Sequence, residues 1–207
     1  MKRTVFLTAA AILTAGAASA EEKAYSLTGF EGVSASAGTH VEVKTNPEFS
    51  IRAVGDPDAI ERLKVETNGK TLEIGRKPGI NWGRSGKLIV YVTLPDLKAL
   101  SVSSGAHVNA AGVNGGPFAL DGSSGGHAEV TGKCDALAAN VSSGGHLDAD
   151  TLLCRTASAD ASSGGHMKIH VSESIDADAS SGGHVEVSGG PKNVNVDRSS
   201  GGDVDIE

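Results

Sequence analysis

Five of the seven histidines occupy the same position of a repeated pentapeptide, and that spacing is the first chemical signal in the chain. Ser103-Ser104-Gly105-Ala106-His107 is followed by Ser-Ser-Gly-Gly-His beginning at Ser123, Ser142, Ser162 and Ser180, which aligns His107, His127, His146, His166 and His184. A further copy from Ser199 carries Asp203 in that place, and a degenerate one, Ser36-Ala37-Gly38-Thr39-His40, lies far upstream. Carboxylates keep step with it. Glu129, Asp148 and Glu186 stand two residues after the histidine, and Asp121, Asp160, Asp178 and Asp197 two residues before the motif. Stacked copies would line the imidazoles into a ladder with carboxylates alongside on the same face, donor types that suit Zn²⁺, Cu²⁺ or Ni²⁺. Rungs about 4.8 Å apart would let neighbouring imidazoles share an ion, so Zn or Cu is the cofactor such a ladder could hold, with none certain. The structural alternative is that the rings stack at a turn and hydrogen-bond the serine hydroxyls. Two charged rungs would repel by about 1 kcal/mol, and imidazoles titrate near pH 6.5, so the row reads as a pH-sensitive surface.

Catalysis is the other chemistry these residue types allow. Asp160, Ser162 and His166 share the composition of a hydrolase triad, but every other copy offers nearly the same set. A covalent mechanism needs one activated nucleophile and a dedicated oxyanion site, and no nucleophile-elbow sequence is present. Polysaccharide lyases and hydrolases on parallel β-helices use clustered Asp with Arg or Lys. The repeats hold few basic residues, Arg155, Lys168 and Arg198 among them. The glycine-rich motifs are not phosphate loops, since no helix and no Lys follows them. The reading is a non-catalytic binding or structural protein, with a carbohydrate-active enzyme as the alternative.

The elements that must position these residues follow from period and alternation. Successive motifs lie 20, 19, 20, 18 and 19 residues apart, which is one supersecondary unit stacked on itself. Before each motif Phe118, Leu120 and Gly122, or Leu137, Ala139 and Val141, alternate with polar residues; after it Val108 and Ala110, or Leu147 and Ala149, do the same. Period two with one apolar face is a half-buried strand. Each unit is expected to be two short strands flanking a Ser-Ser-Gly-Gly bend plus a variable return. The fold class is therefore all-β, a parallel β-helix-like solenoid with coils of about 19 residues. An up-and-down barrel fits the stacked motifs less well. Composition agrees: 28 Gly against 1 Trp, 2 Tyr and 4 Phe suits a narrow interior of Val, Ile, Leu and Ala. Cys134 and Cys154 each precede a motif by eight residues. One coil apart, they fall within the roughly 4.4–6.8 Å that a disulfide spans, which predicts a Cys134–Cys154 bridge; two free apolar thiols are the alternative.

Residues 1–20 read as a secretory signal peptide: Lys2 and Arg3, an apolar run, then Ala18-Ser19-Ala20. That run is too short to span a bilayer and no later segment could, so the expected location is extracytoplasmic, in the periplasm, at the cell surface or secreted. Without Lys2 and Arg3, 16 basic residues face 25 acidic ones, a formal −9, which argues against nucleic acid as a partner. Residues 21–207 are expected to form one domain. Its 21–100 section contains one short helix, one or two capped turns where Gly55-Asp56-Pro57-Asp58 leads into Ala59 to Leu63, a hairpin from Val65 to Ile74 around Asn68-Gly69, a strand over Lys87–Leu94 ended by Pro95, and a loop from Lys77 to Gly86 holding Trp82. This section should cover one end of the stack and protect its edge, leaving 101–207 to the Ser-Ser-Gly-Gly-His repeats.

Gly79-Ile80-Asn81, the strand and turn Val92-Thr93-Leu94-Pro95-Asp96-Leu97 and the Gly/Ser-rich repeats beyond it carry a family resemblance. The chain resembles the bacterial auto-transporter adhesins with a head GIN domain over essentially its whole mature length. The resemblance implies an extracytoplasmic β-solenoid, adhesin-like, whose partner is an envelope or surface ligand, a glycan or a protein. Repeats of that family more often read Ser-Gly-Ser-Gly-Asp. Here the acid is histidine in five copies, so the histidine row is a departure from the family pattern.

Overall fold

A computed structural model of the chain describes residues 21–77 and 86–207. Residues 1–20, expected to be a signal peptide, and Gly79-Ile80-Asn81 and Trp82 lie outside the described residues. Among the described residues the alternation resolves into sixteen strands and one helix. The N-terminal set is β1 (Glu21–Tyr25), β2 (Gly32–Ala35), β3 (His40–Thr45), β4 (Ser50–Gly55), α1 (Pro57–Arg62), β5 (Leu63–Asn68), β6 (Thr71–Arg76) and β7 (Leu88–Leu94). The repeats supply β8 (Ala99–Val102), β9 (His107–Asn114), β10 (Pro117–Gly122), β11 (His127–Val141), β12 (His146–Ala161), β13 (His166–Ala179), β14 (His184–Ser188), β15 (Asn193–Arg198) and β16 (Asp203–Ile206). Repeat strands pair in parallel, motif on motif, as a solenoid requires.

Each Ser-Ser-Gly-Gly is a corner between two walls. In the copy at Ser142, the Gly145 N–H donates to the Ser142 carbonyl at 2.9 Å. The two residues between, Ser143 and Gly144, have φ of 51° and 69°, the pairing of positive angles that defines type I′ turns. Val141 and Leu147 point inward on either side while His146 points out. Chain hydrogen bonding continues through the corner, with the Gly144 N–H reaching the Ser163 carbonyl of the next coil at 3.2 Å.

The expected return separates two strands only in the first and last coils, between β9 and β10 and between β14 and β15. β11, β12 and β13 each run without interruption, 15, 16 and 14 residues long, from one corner to the next. Coil lengths of 18 to 20 residues are absorbed by register shifts, between Glu129 and Gly132 in β11 and between Ala149 and Leu153 in β12, as bulges do.

Inward residues stack in columns. Val41, Val108, Ala128, Leu147, Met167, Val185 and Val204 form one continuous column, all of it buried. Cys134 and Cys154 are register partners, with Cα atoms 4.5 Å apart and a formed disulfide of S–S 1.99 Å. Closing a loop of this length stabilises by about 3 kcal/mol in the chain-entropy account.

The N-terminal section caps the stack, with an order that differs from the chain order. The β2–β3 rung pairs with β8 and β9 on one side and with β6 and β7 on the other. The outermost strands are antiparallel: β5 on β6, β4 on β7 and β1 on β4. The hairpin around Asn68-Gly69, the strand ended by Pro95 and the short helix are thus present, and they close the edge by switching it to antiparallel pairing.

Candidate functional site

The histidine ladder is real and longer than the repeats alone imply. His40 joins it, so six imidazoles stack in the order His40, His107, His127, His146, His166, His184. Ring centroids are 5.1, 4.6, 4.9, 5.0 and 4.7 Å apart along this order. The interior planes lie within 7° of parallel, while the ends open to 31° at His40 and 19° at His184. Asp203 follows His184 in register. Among the described residues, no hydrogen bond joins a ladder imidazole to a motif serine: the rings stack and the hydroxyls face elsewhere. His40 escaped sequence reasoning because two thirds of a hundred residues of cap chain separate it from the repeats; the degenerate Ser36–His40 motif was its signal.

Beside the ladder runs a column two residues along each strand: Glu42, Asn109, Glu129, Asp148, Lys168, Glu186 and Asp205. Glu42 anchors one end, accepting from Asn109 Nδ2 at 2.8 Å and lying 3.0 Å from His40 Nε2. Burial pushes the Glu42 carboxyl up, but the hydrogen bonds from His40 and Asn109 outweigh it and hold it below the usual range. Lys168 bridges to Glu186 at 2.8 Å and lowers the Glu186 carboxyl by that hydrogen bond. In the middle of the stack, burial and then the neighbouring imidazoles press His127 and His166 below the ordinary histidine value. Like charges disfavour one another at this spacing, so protonation of these two rungs is opposed.

The second set of acidic neighbours is elsewhere. Asp121, Asp160 and Asp178 belong to the strands before the corner and face outward from the other wall, in a column with Ser101, Asn140 and Asp197. They are not alongside the imidazoles. The expectation that both carboxylate sets share the ladder face fails because the type I′ corner reverses the chain between them. Their neighbours are serines: Asp121, Ser123, Asn140, Ser142, Asp160 and Ser162 line a shallow groove of about 380 Å³. Asp178, Ser180, Asp197, Arg198 and Ser199 line its continuation, of about 400 Å³. Asn140 donates to Asp121 at 3.0 Å. Burial, then Asp160 and Asp197, raises the Asp178 carboxyl. Asp160, Ser162 and His166 therefore form no triad, with Ser162 and His166 at opposite ends of the turn.

The seventh histidine, His170, makes a cluster the sequence did not suggest. Its Nδ1 lies 3.0 Å from Ser188 Oγ, and that hydroxyl donates to Asp150 Oδ1 at 2.5 Å. One hydroxyl carries one proton, so the imidazole is the donor to Ser188, and the serine is tied down rather than activated. The cluster sits at the bulged edge of β12 and stitches three coils together.

The sequence of residues 29–191 matches the family described as "Putative auto-transporter adhesin, head GIN domain". No curated protein matches the chain. Solved structures with the same fold include a "putative adhesin" from Bacteroides fragilis NCTC 9343, 15% identical, with TM-score 0.74 and coverage of 92% of this chain and 98% of that one. A "putative adhesin" from Parabacteroides merdae ATCC 43184 is 14% identical, TM-score 0.55, covering 91% and 96%. A "Putative lipid binding protein" from Parabacteroides distasonis ATCC 8503 is 17% identical, TM-score 0.53, covering 91% and 97%. At these identities the likeness is one of fold.

Proposed function

Because this chain belongs to the head GIN domain family of auto-transporter adhesins, matched over residues 29–191, we propose that it is an extracytoplasmic, non-catalytic, adhesin-like module. Residues 21–207 act as one solenoid domain, and the partner is an extended glycan of the cell envelope or surface. The observation that carries this reading is the open groove on the wall of Asp121, Asn140, Asp160, Asp178 and Asp197 with its parallel row of motif serines. It repeats the same acceptors and hydroxyls once per coil, about every 4.8 Å, and a polymer with a hydroxyl-rich repeat is the ligand class that matches such a surface. A protein partner would want an apolar centre. The exposed large apolar side chains among the described residues are four, Tyr91, Leu153, Val194 and Ile206, on β7, β12, β15 and β16. The evenness of the rungs favours binding over catalysis, which needs one rung to differ from the rest. A formed Cys134–Cys154 bridge suits an oxidising compartment, and the acidic surface disfavours nucleic acid. Among the described residues no helix is long and apolar enough to cross a membrane.

A glycan array probed with the intact protein, followed by biolayer interferometry on the best polysaccharide, tests the assignment. The double variant Asp160→Asn/Asp178→Asn should weaken binding at least tenfold, while His127→Asn/His146→Asn on the other wall should leave it within twofold. Equal binding by all three proteins, or no glycan retained at all, refutes the groove as the site.

A further inference from the structure

The ladder wall carries a second site, independent of the glycan groove. The stacked imidazoles invite a metal, but their interior geometry forbids a shared one. Between His107 and His166 the centroids of the parallel rings are 4.6–5.0 Å apart. The nitrogen lone pairs lie in the ring planes and point past the midpoint between two rungs. Each interior rung can offer one nitrogen to an ion and no more.

The C-terminal end is different. His184 has a ring on one side only, tilted 19° from its neighbour His166, and on the other side Asp203 and Asp205 replace the next imidazole. His184 Nδ1 is 3.9 Å from Asp203 Oδ2, and His184 Nε2 is 3.8 Å from Asp205 Oδ2. One imidazole nitrogen serves one ion, and a single His184 nitrogen lies with one oxygen of each aspartate within 4.8 Å of one another; two donors on one tetrahedral zinc are separated by about 3.4 Å, so modest side-chain rotation brings the three into range. Asp203 is already oriented: its Oδ1 accepts the Val204 N–H at 3.0 Å, leaving Oδ2 toward the imidazole. His166, His184 and Glu186 also bring one donor atom each within 4.8 Å of the others, with Glu186 engaged by Lys168. Arg198 Nε, 3.8 Å from Asp203 Oδ1, is a cation the site must tolerate beside it.

We propose that His184, Asp203 and Asp205 hold a single divalent transition-metal ion at the C-terminal end of the ladder, and that the interior rungs hold none. Mixed imidazole and carboxylate donors select Zn²⁺ or Cu²⁺ over Ca²⁺ and Mg²⁺. The change from His to Asp in the last copy is then what converts a repetitive stack into a chelating end.

Isothermal titration of the intact protein with ZnCl₂ and with CuCl₂ should give one ion per chain. Asp203→Asn/Asp205→Asn should lose at least tenfold in affinity, and His127→Asn/His146→Asn should keep the stoichiometry and bind within twofold. Both aspartates are more than 60% exposed, and thermal melts confirm that the variants remain folded. Electron paramagnetic resonance of the Cu²⁺-loaded wild-type protein needs no variant and should show nitrogen hyperfine coupling from one imidazole. Several equivalent weak sites, no uptake, or loss of binding in the interior variant with retention in the aspartate variant overturns the proposal. Unchanged binding by glycan of the metal-free and metal-loaded protein is compatible with it, since the two sites lie on different walls.

Discussion

A histidine in this protein is defined by what stacks on it. His127 and His166 are held below the ordinary histidine value by burial and then by their imidazole neighbours, against the opposing pull of nearby carboxylates. The unfolded chain, with its imidazoles near pH 6.5, therefore takes up protons first as pH falls. Between that value and the lower folded values the unfolded state binds more protons, so folding stability rises with pH across the window and is lost on acidification. Melting temperature should fall by a few degrees from pH 7.5 to pH 5.5, and His127→Asn/His166→Asn should flatten that slope. A parallel loss in wild type and variant would show that the ladder does not carry it. Glu42 and Glu186, held low by their hydrogen bonds, lose their contribution only in more acidic solution. The raised Asp178 acts with the opposite sign. The register of five ladder residues was legible because identical motifs fix identical positions. What surrounds each ring was not: alternation gives in or out, and it does not say which wall.

At the scale of the element, the corner explains both the strengths and the misreading of the pattern. The two glycines of Ser-Ser-Gly-Gly look interchangeable in the sequence and have different duties. Gly144 sits at φ 69° with nothing within 4 Å of where a Cβ would stand. Gly145 has no unusual φ, but a Cβ there would lie 2.9 Å from Gly122 C and 3.0 Å from Ser123 N of the preceding coil. Backbone atoms of a paired strand cannot step aside. Gly144→Ala should therefore cost about 1 kcal/mol of left-handed strain. Gly145→Ala should cost about 3 kcal/mol, since overpacking must push two coils apart. Urea unfolding of both variants measures the difference, and equal costs would mean that coil spacing at the corner is soft. Strands, helix and hairpin were readable from local chemistry: the Pro57 start of α1, the Asn68-Gly69 turn, the alternation of every repeat. The corner's full reversal of direction was not, because a four-residue bend with free φ values is compatible with a right angle or a hairpin. That single unknown put Asp121, Asp160 and Asp178 on the wrong side of the molecule.

The whole molecule is a stack with unequal ends, and its stability should be distributed accordingly. A solenoid is stabilised by nearest-neighbour contacts, so opening starts at an end and propagates. One end is closed by the antiparallel β4, β1 and β5, an arrangement that sequence order could not reveal because β6 and β7 lie outside the earlier β2–β3 rung. At the other end β15 and β16 each pair with a single strand. The Cys134–Cys154 bridge ties β11 to β12 in the middle of the array, and its about 3 kcal/mol acts on the separation of those coils. Fraying from β16 inward should therefore stop at the bridge. Hydrogen exchange of the oxidised protein should show protection rising from β15 and β16 toward β12, with the cap and the β11–β12 pair the slowest. After reduction, or in Cys134→Ala/Cys154→Ala, exchange should accelerate in β11 and β12 while β4 and β7 keep their protection. A uniform acceleration across all strands would show that the array opens as one cooperative unit, with the bridge setting global stability and not the point where unzipping halts.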